Sequence, residues 1–212
     1  MKGTIALFLN HPKCSVQSGN GIIKALDPYY HFKIFTKHDI ESKFFDDVDM
    51  VCFPGGVGDM TSFSSIHPET KKLVRNYVRR GGKYLGICMG AYWADSKFFN
   101  ILDDVRVVQY IKQPNVNTRR PHAKAMPVTW RGVEDKIFFF DGCTYIGNKF
   151  KTIAKYETGH PMAIIQNNVG LVACHLESEK YWYDDYTWMP KHWHNYRHQK
   201  LLVDFVDTLQ RS

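Results

Sequence analysis

The sequence predicts an α/β protein: a mostly parallel sheet with helices on both faces, plus an antiparallel strand extension in the second half. Three observations carry that class. Short apolar runs in the first half alternate with stretches of helical spacing, the pattern of strand–helix–strand crossovers. The second half strings strand-like runs together with only short polar turns between them, as antiparallel pairing requires. Finally, 212 residues, 44% hydrophobic and 23% charged, can bury one sizeable core, so residues 1–212 are read as a single domain.

Taken in order, "TIALFLN" (4–10), "HFKIFT" (31–36), "DMVCFP" (49–54) and "KYLGIC" (83–88) are the first strands, each ending in turn-forming or polar residues. Between the last two, "PETKKLVRNYVRRGG" places Leu73, Val74, Tyr77 and Val78 on one helical face before Gly81 and Gly82 end the helix. "AMPVTW", "KIFFFDG", "FKTIAKYE", "HPMAIIQN" and "VGLVACH" form the antiparallel run. "QKLLVDFVDTLQ" closes the chain as a helix with Leu201, Leu202, Phe205 and Leu209 at core spacing. There is no internal repeat, low-complexity segment or linker.

Several classes are excluded. No apolar run reaches the ~18 residues of a membrane span, and "MKGTIALFLNHPKC" has too short an apolar stretch and no small-residue cleavage site, so it reads as the first strand. Cys14, Cys52, Cys88, Cys143 and Cys174 are odd in number, scattered and without a CxxC pair. They argue against a disulfide framework or structural zinc and for a reducing, cytoplasmic setting. The net charge of +7 is spread along the chain in clusters no longer than Arg79-Arg80 or Arg119-Arg120, which favours solubility over nucleic-acid binding.

Ligand crevices of open parallel sheets lie at the carboxyl ends of the strands, and three such ends carry chemistry. At the first, Cys88 lies between Gly86 and Gly90, where a strand turns into a helix. Small flanking residues allow the sharp turn of a nucleophile elbow, and the helix start favours negative charge on sulfur. A packed core cysteine is the plainer alternative. At the second end, "GLVACHLESEKYW" delivers His175 and, two residues on, Glu177. Strand alternation puts both on one side, so the glutamate can orient the imidazole while its other nitrogen faces a thiol. A solvated strand end is the alternative there. At the third, Pro54-Gly55-Gly56 offers backbone N–H groups that, with the amide of Met89, suit an oxyanion, or else forms a simple tight turn.

These segments resemble the class I glutamine amidotransferase-like superfamily, and most of all the N-terminal domain family of eukaryotic biotin–protein ligases. "CFPGGVGDM", "VRRGGKYLGICMGAYWA", "FFFDGCTYIG" and "ACHLESE" are similar to that family's PGG loop, elbow, aromatic strand with its N/D-G turn, and H-P-E segment. The resemblance implies a flavodoxin-like core and a Cys88–His175–Glu177 triad. Two positions depart from the pattern. Tyr92 stands where glutamine-hydrolysing members place a glutamine that helps hold the substrate, and Leu176 replaces the proline. A phenol at Tyr92 would narrow the pocket, so free glutamine is expected to be a weak substrate. The chain has no Gly/Arg-rich adenylate-binding motif and is not expected to attach biotin by itself.

"YWYDDYTWMPKHW" follows the histidine directly, either as a pocket wall or as a segment pinned to the core by its rings. Trp182 and, as amine ligands, Asp184 and Asp185 are its candidate substrate contacts, beside Tyr92. His194 and His198 share a helical face but lack a third ligand, so no metal is expected. "QPNVNTRRPHAK" reads as a solvated loop, with Arg119, Arg120 and His122 as an alternative anion-attracting rim. The combined expectation is a cysteine-dependent hydrolase or amidotransferase-like protein acting on a small-molecule or peptide amide, or a related acyl bond, without a cofactor. A true amidotransferase would need a partner subunit to receive ammonia. The rival is a binding or regulatory module that keeps the fold and pocket without turnover.

Overall fold

The computed structural model describes residues 1–10, 15–38 and 40–212. Cys14 lies outside the described residues. Strands β1 (Thr4–Phe8), β2 (His31–Phe35), β3 (Met50–Phe53) and β4 (Lys83–Ile87) coincide with the four expected runs. They continue through β6 (Lys124–Trp130), β7 (Val133–Phe139), β9 (Lys151–Tyr156), β10 (Pro161–Gln166) and β11 (Val169–Val172) into one nine-stranded sheet of order β2-β1-β3-β4-β11-β10-β9-β6-β7. Pairing is parallel from β2 to β11 and antiparallel from β11 to β7.

The seam is β11, which pairs parallel with β4 on one side and antiparallel with β10 on the other. The sequence grouped "VGLVACH" with the antiparallel run, but its unbroken burial, with Leu171 and Val172 wholly covered, belongs to a central strand packed on both faces. A separate ribbon of β5 (Arg106–Gln109) and β8 (Cys143–Ile146) was not legible, because both strands are short and lack clean alternation.

Helices cover both faces, as alternation along β1 demonstrates. Leu7 and the following Leu9 meet Gly19 of α1 (Val16–Leu26), while Phe8 between them packs edge-on against Trp93 of α4 (Met89–Trp93) at 5.8 Å. α1 also packs on α6 (Arg197–Gln210), whose Phe205 and Leu209 sit over Gly170 of β11. α6 starts earlier than expected and leaves Leu201 at the flank of its buried stripe. α3 (Pro68–Arg79) buries Val74, Tyr77 and Val78 as its spacing predicts, and ends where Gly81 adopts φ +97°. No described helix is long and apolar enough to cross a membrane.

Candidate active site

Why a cysteine stands between glycines is answered by the backbone at Cys88, which adopts φ 48° and ψ −99°, a conformation costing a non-glycine residue about 1–3 kcal/mol. The surroundings over-determine it. Cys88 N–H donates to Val172 O on β11 (2.9 Å), Gly90 N–H to Pro54 O (3.1 Å), and Tyr84 O–H to Gly90 O (2.7 Å). A Cβ on Gly86 would lie 2.5 Å from Gly90 O, and one on Gly90 would run into the carbonyl of Phe53. The two glycines let strand, corner and helix pack directly on one another, and the buried rings of Phe53, Trp93 and Phe99 pin the helix from below.

Cys88 is 6% exposed, and its Sγ donates to Phe140 O at 3.7 Å. The His175 ring lines the same cleft beside it. His175 Nδ1 donates to Glu177 Oε1 at 2.8 Å, leaving the second nitrogen for the thiol. Burial alone would push the imidazole pKa down, but the charges of Glu177 and Cys88 outweigh it and hold the ring up at about 10. His175 is tied in place by its backbone N–H, which donates to Phe138 O on β7 at 2.8 Å.

A residue not singled out in the sequence completes this network. Ser18 of α1, wholly buried, donates through Oγ to Glu177 Oε1 (2.6 Å) and accepts from Gly55 N–H (2.8 Å). The readable signal is "SGNG": a Cβ on Gly21 would run into Glu177 O, so that glycine marks where the helix touches the candidate site. The Ser18 bond also corrects the expectation for Gly55, whose amide is committed to α1 instead of being free for an oxyanion. Gly56 does line the cleft, and Met89 N–H has no acceptor among the described residues.

The cleft over Cys88 holds about 320 Å³ and is walled by Phe138, Phe140, Trp182, Tyr186 and Val57, with Ser15, Gln17 and Asp185 as polar lining. Trp182 lines the cleft, edge-on to His175 at 5.4 Å. Tyr92 is not part of the wall: its hydroxyl donates to Asp141 O at 3.1 Å, bracing the turn that carries Phe140, and burial raises its pKa. Asp184 is turned away in an ion pair with Lys180 (2.6 Å), and its neighbour Asp185 takes the cleft position. The aromatic segment fulfils both readings, since Trp182 and Tyr186 face the cleft while Tyr183 and Met189 are buried in a small cluster with Ala123 and Phe138.

Residues 11–109 match the family described as biotin-protein ligase, N terminal; the match takes in the PGG loop and the elbow and stops short of His175. Among solved structures, a glutamine amidotransferase from Thermotoga maritima aligns with TM-score 0.69 and 11% identity over 100% of both chains. The fold is glutamine amidotransferase-like. The structure titled PurLQS from Thermotoga maritima aligns at 0.66 and 12% identity, over 99% of this chain and 100% of that one. A glutamine amido transferase from Methylobacillus flagellatus aligns at 0.57 and 14%, over 100% of this chain and 90% of that one. No curated protein matches the sequence. In this amidotransferase-like fold Cys88 and the His175–Glu177 pair follow adjacent parallel strands, β4 and β11.

The remaining candidates resolve as structure. His194 and His198 stack at 3.8 Å inside the protein. His198 N–H donates to His194 Nδ1, and His198 Nε2 lies 3.2 Å from Asp135. Among the described residues no group of three ligands could hold a metal. Arg119 donates to the carbonyls of Ile111 and Gln113, tying down its own loop.

Proposed function

We propose that the protein is a cysteine-dependent hydrolase, or an amidotransferase-like acyl-transfer protein, acting on an amide or related acyl bond. The observation that carries this reading is the meeting of a strained cysteine corner with a histidine–carboxylate pair 87 residues away in sequence (175 − 88). In the reaction, Cys88 Sγ attacks the carbonyl carbon, and its proton rests on His175. The oxyanion that develops meets Met89 N–H and the Gly56 side of the cleft. His175 then gives the proton to the leaving amine, and the C–N bond breaks to leave a thioester on Cys88. Water, deprotonated by His175, attacks the thioester and releases the acid. Glu177 orients the imidazole and stabilises its charge throughout.

The substrate is a small-molecule or peptide amide that needs no cofactor for this chemistry. The thiols at Cys88, Cys143 and Cys174, outside any disulfide among the described residues, support a reducing, cytoplasmic setting. The alternative, a binding module without turnover, draws on the committed Gly55 amide and on a sulfur that donates to Phe140 O in the resting site. Two measurements separate them. Mass-spectrometric mapping after iodoacetamide should find Cys88 labelled ahead of Cys52, Cys143 and Cys174, which are wholly buried, and His175→Ala should abolish that lead. An activated ester such as p-nitrophenyl acetate should give a burst stoichiometric with protein that Cys88→Ala removes. A reactive thiol without a burst would favour the binding module.

A further inference from the structure

The charge of the cleft runs against the charge of the chain. The protein carries +7 overall, yet no lysine or arginine is among the described residues lining the cavity over Cys88. The His175 imidazolium and the Glu177 carboxylate, 2.8 Å apart, offset one another, which leaves Asp185 at the rim as the carboxylate facing the cavity. The other acidic groups of that segment are neutralised by neighbours: Glu179 by Lys24 (2.7 Å) and Asp184 by Lys180 (2.6 Å). Asp185 has no ion-pair or side-chain hydrogen-bond partner among the described residues, and it faces a wall of rings that includes Phe140, Trp182 and Tyr186. Aromatic faces with one unpaired carboxylate attract an organic cation on an apolar arm and offer no counter-charge to a carboxylate.

We infer that the acyl compound taken by this cleft carries an ammonium group on an apolar arm, held by Asp185 among the rings, and bears no free carboxylate. This rests on the nucleophile reading above, and its test works on the thiol without needing turnover. The full-length protein is treated separately with three methanethiosulfonates, whose sulfur the Cys88 thiolate attacks to form a mixed disulfide with release of methanesulfinate. The cationic reagent is the trimethylammonioethyl ester, the anionic one the sulfonatoethyl ester and the neutral one the methyl ester. Rates at Cys88, mapped by mass spectrometry, are divided by those for free cysteine.

The cationic reagent should outpace the anionic one at Cys88. Asp185→Asn should cut that ratio about fivefold, and Asp185→Lys should reverse it. Cys88 reacting quickly with the neutral reagent, but with a ratio that neither variant moves, overturns the inference and leaves the nucleophile intact. Cys88 reacting no faster than the buried thiols with any of the three overturns both. Because Asp185 is exposed and makes no side-chain bond among the described residues, both variants should fold, and circular dichroism verifies it.

Discussion

Replacing Ser18 with alanine should separate what holds the candidate site from what lines it. Ser18 Oγ makes two buried bonds, one to a carboxylate and one from a backbone amide. A hydrogen bond to a charged partner contributes about 1.5–3 kcal/mol, and a buried N–H left without an acceptor costs about 1–3 kcal/mol. The two overlap in part, so Ser18→Ala should lose roughly 2–4 kcal/mol, a large share of the ~5–15 kcal/mol available to a domain. Ser15→Ala on the same helix is the control: Ser15 accepts from Ser18 N–H at 3.1 Å as a simple helix cap, worth ~1 kcal/mol. Urea unfolding of both variants measures the difference. Ser18→Ala should also slow iodoacetamide labelling of Cys88, because Glu177 and the Gly55 loop lose their common anchor. Equal losses for the two serines would refute the reasoning, as would labelling at the wild-type rate in a destabilised Ser18→Ala.

Three further predictions concern the same region. The His175 imidazolium, held near 10 against an ordinary 6.5, should stay protonated through pH 8 by imidazole NMR, with Glu177→Gln bringing the midpoint down toward 6.5. The raised value stabilises the fold fully below pH 6.5 and ceases to do so as pH rises through 10. His194, held down at about 3 by burial and by the neighbouring His198 and Arg197, has the opposite sign: its contribution is complete above 6.5 and is lost as pH falls toward 3. The urea midpoint should therefore drop between pH 7 and 5 by an amount corresponding to roughly 1–2 kcal/mol, and His194→Asn should flatten that dependence. Gly55→Ala would put a methyl 2.6 Å from His175 Cε1 and 3.2 Å from Ser18 Oγ, so it should slow Cys88 labelling and cost about 1–3 kcal/mol in urea unfolding; labelling at the wild-type rate would show that the ring is not confined there.

Much of this was legible because parallel strands advertise themselves as apolar runs, and Gly86, Cys88 and Gly90 constrain one another locally. His175 and Glu177 were readable for the same reason, being two apart on one strand end. What the sequence hid depended on direction, which spacing does not encode. Asp184 and Asp185 are adjacent, and only the turn of α5 (Lys180–Asp184) decides which faces the cleft. Tyr92 lies one helical turn beyond Cys88, as expected, yet its hydroxyl reaches the Asp141 carbonyl, a partner that folding supplies from a distant loop. Ser18 was invisible because its two partners, Glu177 and Gly55, belong to other parts of the chain.

Cys88 and His175 follow neighbouring strands locked in register, Ile87 opposite Val172, so their separation is set by a ladder of backbone bonds that depends little on side-chain identity. The rings and carboxylate around them belong to a different group of segments, the β7 turn and the stretch from Trp182 to Tyr186. On the function proposed above, reactivity and recognition would be separable parts. Asp185 and Tyr186, which line the cleft without belonging to the buried cluster of Trp182 and Tyr183, can be exchanged while the backbone ladder that spaces Cys88 from His175 is left untouched, and a library confined to those two positions would vary the cleft alone.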